Sequence, residues 1–298
     1  MQPSAQRVVD AHVHLWDRSR FTYAWLDGAG EVLERNFGPA DLALSWADAG
    51  SGTPESAVFV QADCDAAQAL DEAAWVQGLA DAGAPIRAIV AAASLELGDG
   101  VAPHLDALCT VPLVSGVRRL TQDEAPGFMT TPEFIEGVAC AAGYGLSIDL
   151  CVRSRQLPEV ADLVEALPQA QFVLDHLGKP RIEEGSFGTW ASDIARIAAS
   201  SNVRCKLSGL ATEAPRDRRQ IDDLLPWITF GLETFGPERA MFGSDWPVLT
   251  LAADYGWWLD CVRRALGNVS PADAQRVMAG TAEQTYDPIA LRRKVGSA

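Results

Sequence analysis

Short runs of β-branched and apolar residues recur along this chain, and each precedes a stretch with apolar residues at helical spacing. Eight such runs occur, at residues 7–14, 56–63, 86–94, 116–120, 145–152, 171–176, 202–209 and 240–246. Amphipathic helical patterns separate them, for example at 70–83, 132–145, 157–167 and 219–236. Alternating strands and helices predict a parallel sheet covered by helices, and eight units predict closure into a (β/α)8 TIM barrel.

The alternative for this pattern is an open, doubly wound sheet, which normally carries a glycine-rich phosphate turn after an early strand. Neither a G-x-G-x-x-G nor a Walker pattern occurs in the sequence. With 298 residues, 48% of them hydrophobic, the chain can bury the core of one large barrel. We therefore expect residues 1–298 to form a single (β/α)8 domain, with a long loop at about 15–55 and two C-terminal helices after about 254.

The charge balance narrows the range of partners. The 40 acidic residues outnumber 24 lysines and arginines, and the net charge of −16 repels phosphate backbones and anionic lipid surfaces. No apolar run approaches the ~20 residues of a membrane span, and no signal-peptide pattern is present. Six cysteines occur singly, without metal-type or disulfide-type spacing. These features predict a cytoplasmic protein with reduced cysteines and no nucleic-acid or membrane partner, and they leave a homo-oligomer open.

Three of the four histidines lie at the ends of two predicted strands. His12 and His14 belong to the run DAHVH, where strand alternation would place both, together with Asp10, on one face. His176 ends the sixth strand, and the carboxyl ends of barrel strands form the catalytic face of such folds. A lone histidine is more often a core residue than a ligand, but an H-x-H pair at a strand end favours a metal or substrate site. His104 lies in a helical pattern and is expected at the surface.

Asp245 ends the eighth predicted strand in the block FGSDWPV, which would place it at the barrel mouth. A carboxylate there can bind a metal ion and can accept a proton from an attacking water. Aspartate after a strand also often caps the next helix, but the Trp-Pro pair that follows disfavours this alternative. The strand ends therefore predict a site built from His12, His14, His176 and Asp245.

Polar and aromatic residues near other strand ends are candidates for substrate binding. Arg118, Arg119 and Gln122 would lie at or just beyond the fourth strand, and only one of the adjacent arginines can face the barrel. Such an arginine can fork onto substrate hydroxyls or a carboxylate, and a salt bridge at the barrel rim is an equal alternative. Further candidates are Gln61 at the end of the second strand, Lys206 in the seventh, and Trp16 and Trp25, whose rings could cover a sugar or pack the long loop.

Five ordered blocks, DAHVHLWD, GVRRLTQDE, FVLDHLGKP, CKLSGL and FGSDWPV, resemble the amidohydrolase superfamily, specifically its branch of sugar-lactone hydrolases that includes L-fuconolactonase. The resemblance runs through nearly the whole chain. It implies an amidohydrolase-type (β/α)8 barrel and a cytoplasmic carboxylic-ester hydrolase that opens a five- or six-membered lactone. Asp245 and His176 would be the catalytic residues in such an enzyme.

The resemblance also bears on metal content. Many members of the superfamily hold two metal ions bridged by a carboxylated lysine on strand four, with a further histidine on strand five. Here strand four offers only the two arginines, and strand five offers Asp149, Cys151 and Arg153. The resemblance therefore implies at most one divalent ion, with Zn²⁺ favoured by imidazole and carboxylate ligands, weakly bound or dispensable. Its ligands would be His12, His14, His176 and Asp245.

Several activities fit this scaffold. The first expectation is hydrolysis of a neutral aldonolactone such as L-fuconolactone or L-rhamnonolactone. An anionic ring, such as a pyrone dicarboxylate or a muconolactone, is an alternative substrate that would use Arg118, Arg119, Arg153 and Arg155. Two further functions stay open: a decarboxylase of a neighbouring branch, which would release CO2, and a non-catalytic binding module, which would show no turnover.

Overall fold

The structure is a computed structural model that describes residues 7–50, 52–182 and 187–288. Eight parallel strands form one sheet in chain order, and all eight predicted strands are present. Most are shorter than predicted because the apolar runs continue into the loops beyond the last ladder bonds. Their bounds are β1 Val9–Val13, β2 Ser56–Val60, β3 Ile86–Ala92, β4 Val114–Arg118, β5 Ser147–Leu150, β6 Gln171–Leu174, β7 Val203–Leu207 and β8 Ala240–Phe242.

The sheet closes between its first and last strands. Beyond β8, the backbone N–H of Asp245 donates to the carbonyl of His12 at 2.9 Å, and the N–H of His14 donates to the carbonyl of Trp246 at 2.8 Å. These bonds join the two segments that carry the predicted site residues. The (β/α)8 barrel prediction is therefore confirmed, and closure itself aligns the H-x-H segment with Asp245.

Helices connect the strands and cover the barrel. Those after the first seven strands include the four predicted helices, now with defined ends, and α4 illustrates their start: Pro132 occupies the first turn and the Thr131 hydroxyl accepts the Phe134 N–H at 3.3 Å. Their bounds are α1 Pro39–Asp48, α2 Ala69–Asp81, α3 Ala102–Leu108, α4 Pro132–Gly143, α5 Leu157–Ala166, α6 Phe187–Ala198, α7 Leu210–Glu213 and α8 Ile221–Phe235.

Two helical segments follow residue 254 in the described part of the C-terminal region. The first is α9 Tyr255–Ala265. The second runs without a break through α10 Pro271–Gln275, one wider π-helical turn at Arg276–Gly280 and α11 Thr281–Thr285. Tyr286, just after α11, is fully buried in the inner apolar cluster of the barrel. The assignment of all 298 residues to one domain stays a prediction.

The segment predicted as a long first loop contains a helix, α1, that the sequence pattern did not predict. The N–H of Gly38 donates to the Asp41 carboxylate at 3.0 Å, and Pro39 opens the helix. Aromatic rings anchor the loop near the barrel mouth: Trp16 contacts Phe37 at a centroid distance of 5.1 Å, and Phe37 contacts Trp246 at 5.4 Å. The loop therefore packs against the segment that carries Asp245.

A bulge in β1 changes the predicted facing of its side chains. Val9 and Ala11 belong to the inner cluster, whereas Val13 belongs to the outer core, and the pairing register with β2 shifts between residues 10 and 13. Asp10 consequently faces outward, where its carboxylate accepts hydrogen bonds from Tyr255 Oη at 2.6 Å and from the Ser244 N–H at 2.8 Å. The prediction that Asp10 shares the face of the two histidines was wrong.

Two further features bear on the expectations from composition. All six cysteines are free thiols, and four of them are buried. Across the ranges that the structure describes, no helix combines the length and apolar character of a membrane span.

Candidate active site

The structure brings four predicted side chains together at the carboxyl ends of β1, β6 and β8. Asp245 Oδ1 lies 3.3 Å from His14 Nε2, 3.7 Å from His12 Nε2 and 3.8 Å from His176 Nε2. The Nε2 atoms of His12 and His14 are 3.1 Å apart. All four residues are buried. Three imidazoles thus surround one carboxylate oxygen; the catalytic and metal-binding roles of these residues stay predictions.

The second ring nitrogen of each histidine, Nδ1, also has a contact partner. Nδ1 of His14 lies 2.8 Å from the Val60 carbonyl, and Nδ1 of His176 lies 2.9 Å from Ser208 Oγ. Nδ1 of His12 lies 3.1 Å from Lys206 Nζ. Such contacts fix ring orientation and choose the tautomer. Each Nε2 atom is therefore aimed at the common centre.

The backbone around the site is strained in a consistent way. Five non-glycine residues of the described chain have positive φ, and four of them, Asp63, His176, Lys179 and Asp245, border the same cavity. Left-handed backbone costs energy for ordinary residues and concentrates at functional sites. At Gly209, a Cβ would lie 2.7 Å from the ring of His176, so only glycine leaves room for that imidazole.

Burial and charge set the protonation states. Burial lowers the pKa of His12 well below its usual value and lowers that of His176 to about 4, so both rings are neutral near pH 7. Burial alone would raise the pKa of Asp245, but the adjacent His176 and His14 outweigh it and hold that pKa well below its usual range. The site therefore presents the neutral rings of His12 and His176 beside an ionised carboxylate.

Of the two adjacent arginines, Arg118 faces the barrel. Its guanidinium bonds Asp175 at 3.1 Å and the Gln61 carbonyl at 2.7 Å, and lies 3.5 Å from His12 Nε2. Arg119 points away and pairs with Glu96 at 2.9 Å and Glu124 at 2.6 Å. The predicted salt bridge at the barrel rim is thus what Arg119 forms.

Lys206 lies deeper than expected of a lining residue. It is fully buried and contacts the carboxylates of Asp149 at 2.5 Å and Asp175 at 3.0 Å, and Tyr286 Oη donates to Asp149 at 2.7 Å. This ionic cluster separates the apolar interior from the histidines. The sequence pattern missed Asp175, although it directly precedes His176 and is the shared partner of Lys206 and Arg118.

A cavity of about 200 Å³ opens above the histidines; we term it the site cavity. Of the predicted substrate-binding residues, Arg118, Gln122 and Trp25 line it, and the Trp25 indole is held by a 2.7 Å hydrogen bond to the Ala62 carbonyl. Residues that sequence reasoning missed include Asp63 and Lys179, whose Nζ donates to Gln122 Oε1 at 2.6 Å. The block FVLDHLGKP contained Lys179, but nothing in its spacing marked a role.

Three other candidates lie elsewhere. Trp16 does not reach the site cavity, because its side chain is fully buried and its Nε1 donates to the Arg35 carbonyl at 2.7 Å. Gln61 and Arg119 line a neighbouring space of about 360 Å³, the adjoining cavity. His104, on α3 as its helical pattern predicted, lines this cavity too; it is half-buried, with Nε2 2.9 Å from the Ala92 carbonyl.

The donor set fits one divalent ion. The ligand atoms of His12, His176 and Asp245 all lie within 4.8 Å of one another. If His14 Nδ1 donates to the Val60 carbonyl, its Nε2 lone pair faces the Asp245 carboxylate, and two such acceptors 3.3 Å apart favour a cation between them. A second group, Cys151 with Asp175 and His176, fits less well, because burial raises the pKa of the Cys151 thiol and disfavours the thiolate.

Comparison with known proteins gives consistent matches. A sequence profile described as Amidohydrolase matches residues 9–287. An L-fucono-1,5-lactonase of Burkholderia multivorans is 32% identical, with 93% of this chain and 95% of that protein aligned. An L-rhamnono-gamma-lactonase of Scheffersomyces stipitis is 28% identical over 56% of this chain and 57% of its own length. A solved amidohydrolase of Burkholderia multivorans with bound zinc has a TM-score of 0.82 at 32% identity, covering 94% of this chain and 99% of that chain.

These matches agree with the barrel and its histidine cluster. The profile spans both the H-x-H segment of β1 and Asp245 beyond β8, so it includes every residue of the candidate site. The solved amidohydrolase covers nearly the same range at the level of the fold. The resemblance that five sequence blocks predicted is confirmed, and this chain belongs to the amidohydrolase family.

Proposed function

We propose that this chain is a lactonase that hydrolyses a neutral sugar lactone, an aldonolactone, to the open-chain sugar acid. The observation that carries the proposal is the ionised Asp245 carboxylate surrounded by three imidazoles at the base of a cavity. Ester hydrolysis needs a base for water and a stabiliser for the developing oxyanion within a few ångströms of each other. Asp245, beyond β8, supplies the base, and Arg118, at the end of β4, supplies the stabiliser.

In the proposed reaction, water enters between Asp245 and the lactone carbonyl carbon. Asp245 accepts a proton from that water as its oxygen bonds to the carbon, and negative charge develops on the carbonyl oxygen. The Arg118 guanidinium, which lines the site cavity, stabilises this charge. The ring C–O bond then breaks, and the proton held at Asp245 passes to the departing ring oxygen, which leaves as a hydroxyl of the acid.

One divalent ion, with zinc favoured, would be held by His12, His176 and Asp245, with His14 beside them. When bound, it would polarise the carbonyl oxygen as a Lewis acid. The Arg118 guanidinium 3.5 Å from His12 Nε2 opposes a second positive charge at this point, which supports weak binding. The solved relative with bound zinc supports the choice of metal.

The charge of the site favours a neutral ring. Three of the four arginines that an anionic lactone would use are held in ion pairs: Arg118 by Asp175, Arg119 by two glutamates and Arg153 by Asp123 at 2.8 Å. The fourth, Arg155, donates to the Gln122 carbonyl at 3.0 Å. The relatives named L-fucono-1,5-lactonase and L-rhamnono-gamma-lactonase support an aldonolactone. Cytoplasmic location, a homo-oligomeric state and the absence of a nucleic-acid partner stay predictions.

The proposal is tested by a pH-indicator assay of the purified chain with L-fucono-, L-rhamnono-, L-galactono- and D-arabinonolactone. Acid release well above the spontaneous rate is expected for at least one of them. Pyrone dicarboxylate and muconolactone serve as anionic comparisons, and CO2 release from aromatic acids tests for decarboxylase activity. Turnover of the anionic rings alone, or CO2 release without lactone hydrolysis, would contradict the proposal.

A further inference from the structure

The adjoining cavity is not separate from the site cavity. It holds about 360 Å³ against about 200 Å³ for the site cavity, and both are bordered by Asp63, Arg118 and Leu120. It lies beyond the ends of β2, β3 and β4, on the opposite side of these three residues from His176 and Lys179. A ligand in the site cavity can therefore extend past Asp63 into a larger space.

The charged side chains that line the adjoining cavity differ in whether they have ion-pair partners. Both of its arginines are paired, Arg118 with Asp175 and Arg119 with Glu96 and Glu124. The carboxylate of Asp63, in contrast, accepts no hydrogen bond and forms no ion pair with any residue in the described ranges. The carboxylate is exposed and lies near the positive charges of Arg118 and Arg119 without contacting them, so its oxygens are available to accept hydrogen bonds from hydroxyls.

The backbone holds Asp63 in this position. Its φ of 60° is left-handed, and its N–H donates to Gln61 Oε1, a side chain that is almost fully buried. Asp63 thus belongs with His176, Lys179 and Asp245, the other positive-φ residues that border the site cavity. Strain of this kind persists where the surrounding structure enforces it, and it clusters where ligands are held.

The remaining walls combine apolar and polar groups. Ala93, Leu97 and Val101 contribute apolar surface, and His104 adds a ring whose Nε2 is directed at the Ala92 carbonyl. Ligand sites typically have this composition, an apolar lining with a few placed polar groups that fix orientation. A hydroxylated carbon chain, with C–H and O–H groups alternating, matches such walls better than a purely apolar or an anionic group.

We propose that the adjoining cavity is a second subsite that receives a hydroxylated carbon chain borne by the lactone ring, with Asp63 as the residue that selects it by accepting hydrogen bonds from its hydroxyls. This inference rests on the proposed lactonase function and extends it, since it assigns the substrate a ring in the site cavity and a polyhydroxy substituent beyond Asp63. The substrate is accordingly larger than the ring alone.

The test uses 1,4-lactones that share one ring size and differ in their exocyclic chain: a tetrono-, a pentono-, a hexono- and a heptonolactone, with zero to three hydroxylated exocyclic carbons. We expect kcat/KM to rise at least about tenfold along the series, because a hydroxyl that bonds a charged acceptor is worth that much. In Asp63→Asn, the loss in kcat/KM should grow with chain length. Asparagine tolerates left-handed φ, so the backbone is retained.

A second variant tests whether the adjoining cavity must be open for the longer lactones to be preferred. Ala66 is exposed and lines only the adjoining cavity, so Ala66→Trp should narrow it and reduce the rise along the series to about twofold or less. Its neighbour Ala67 is also exposed but lines neither cavity, and Ala67→Trp should keep the full rise. Circular dichroism and the unfolding temperature compare the folds of the two tryptophan variants.

The outcomes separate this inference from the proposed function. Hydrolysis of all four lactones with equal kcat/KM, or the same rise in Ala66→Trp as in the unaltered chain, overturns the second subsite alone. A rise that Asp63→Asn leaves unchanged overturns the role of Asp63. Hydrolysis of no lactone in this series or among the four sugar lactones named above overturns the proposed function, and the second subsite with it.

Discussion

The hydroxyl oxygen of Ser208 lies 2.9 Å from Nδ1 of His176, and both side chains are buried. Ser208 follows β7 and His176 follows β6, so the contact joins two neighbouring strand ends. Together with Gly209, which leaves space for the ring, Ser208 orients the imidazole toward Asp245. The site is thus organised by residues that do not themselves face the site cavity.

Replacing this hydroxyl should impair turnover more than binding. We expect Ser208→Ala to lower kcat about tenfold with little change in KM, because the His176 ring loses its fixed orientation. Steady-state kinetics on the best lactone measures both constants. Ser115→Ala is a matched control, since Ser115 is equally buried and its hydroxyl has no partner within the described ranges. An unchanged kcat in Ser208→Ala would refute this role.

Removing the negative charge of Asp245 should abolish most activity. Asp245→Asn keeps the size of the side chain and tolerates the left-handed φ of 63° at this position. We expect kcat/KM to fall at least about 1,000-fold, the upper range of a lost general base. The unfolding temperature should change little. Asp260→Asn, an exposed carboxylate on α9, provides the control, and near-normal turnover in Asp245→Asn would eliminate Asp245 as the base.

Zinc binding provides a test independent of turnover. We expect the metal-free protein to bind one Zn²⁺ per chain in isothermal titration calorimetry, and Asp245→Asn to weaken that binding at least about tenfold. Cys151→Ser should not change it, because the buried Cys151 thiol has a raised pKa. A stoichiometry of two, or a loss of binding in Cys151→Ser, would indicate the second ligand set of Cys151, Asp175 and His176.

Glu72 should make the stability depend on pH. Burial raises the pKa of its carboxyl to about 7, although Tyr23 Oη donates to it at 3.0 Å. Because the folded protein holds this proton more tightly than the unfolded chain does, the associated stability is complete below about pH 4.5 and is lost as the pH rises through about 7. The full effect is roughly 3 kcal/mol.

The comparison with Glu72→Gln isolates this contribution, since other carboxyls titrate equally in both proteins. The free energy of unfolding, measured in urea at pH 5 and pH 8, should decrease with pH in the unaltered chain by roughly 2–3 kcal/mol more than in Glu72→Gln. Equal pH dependence in the two proteins would show that Glu72 remains ionised when folded.

Much of this protein follows from sequence patterns alone. Eight alternations of strand and helix sufficed to predict the barrel, because period-2 and period-3.6 hydrophobic patterns are local properties. His12, His14, His176 and Asp245 could be singled out because parallel strands in a closed barrel all end at one face. The five sequence blocks were enough to predict the family.

Only the tertiary structure decided how neighbouring side chains divide between faces and partners. The β1 bulge turned Asp10 outward and kept both histidines inward, which strict alternation could not predict. The pairing of Lys206 with Asp149 and Asp175 joins strands that lie far apart in the chain. Such long-range contacts offset the energetic cost of burying a charged side chain by giving it a partner of opposite charge. No local pattern in the sequence shows which residues become partners.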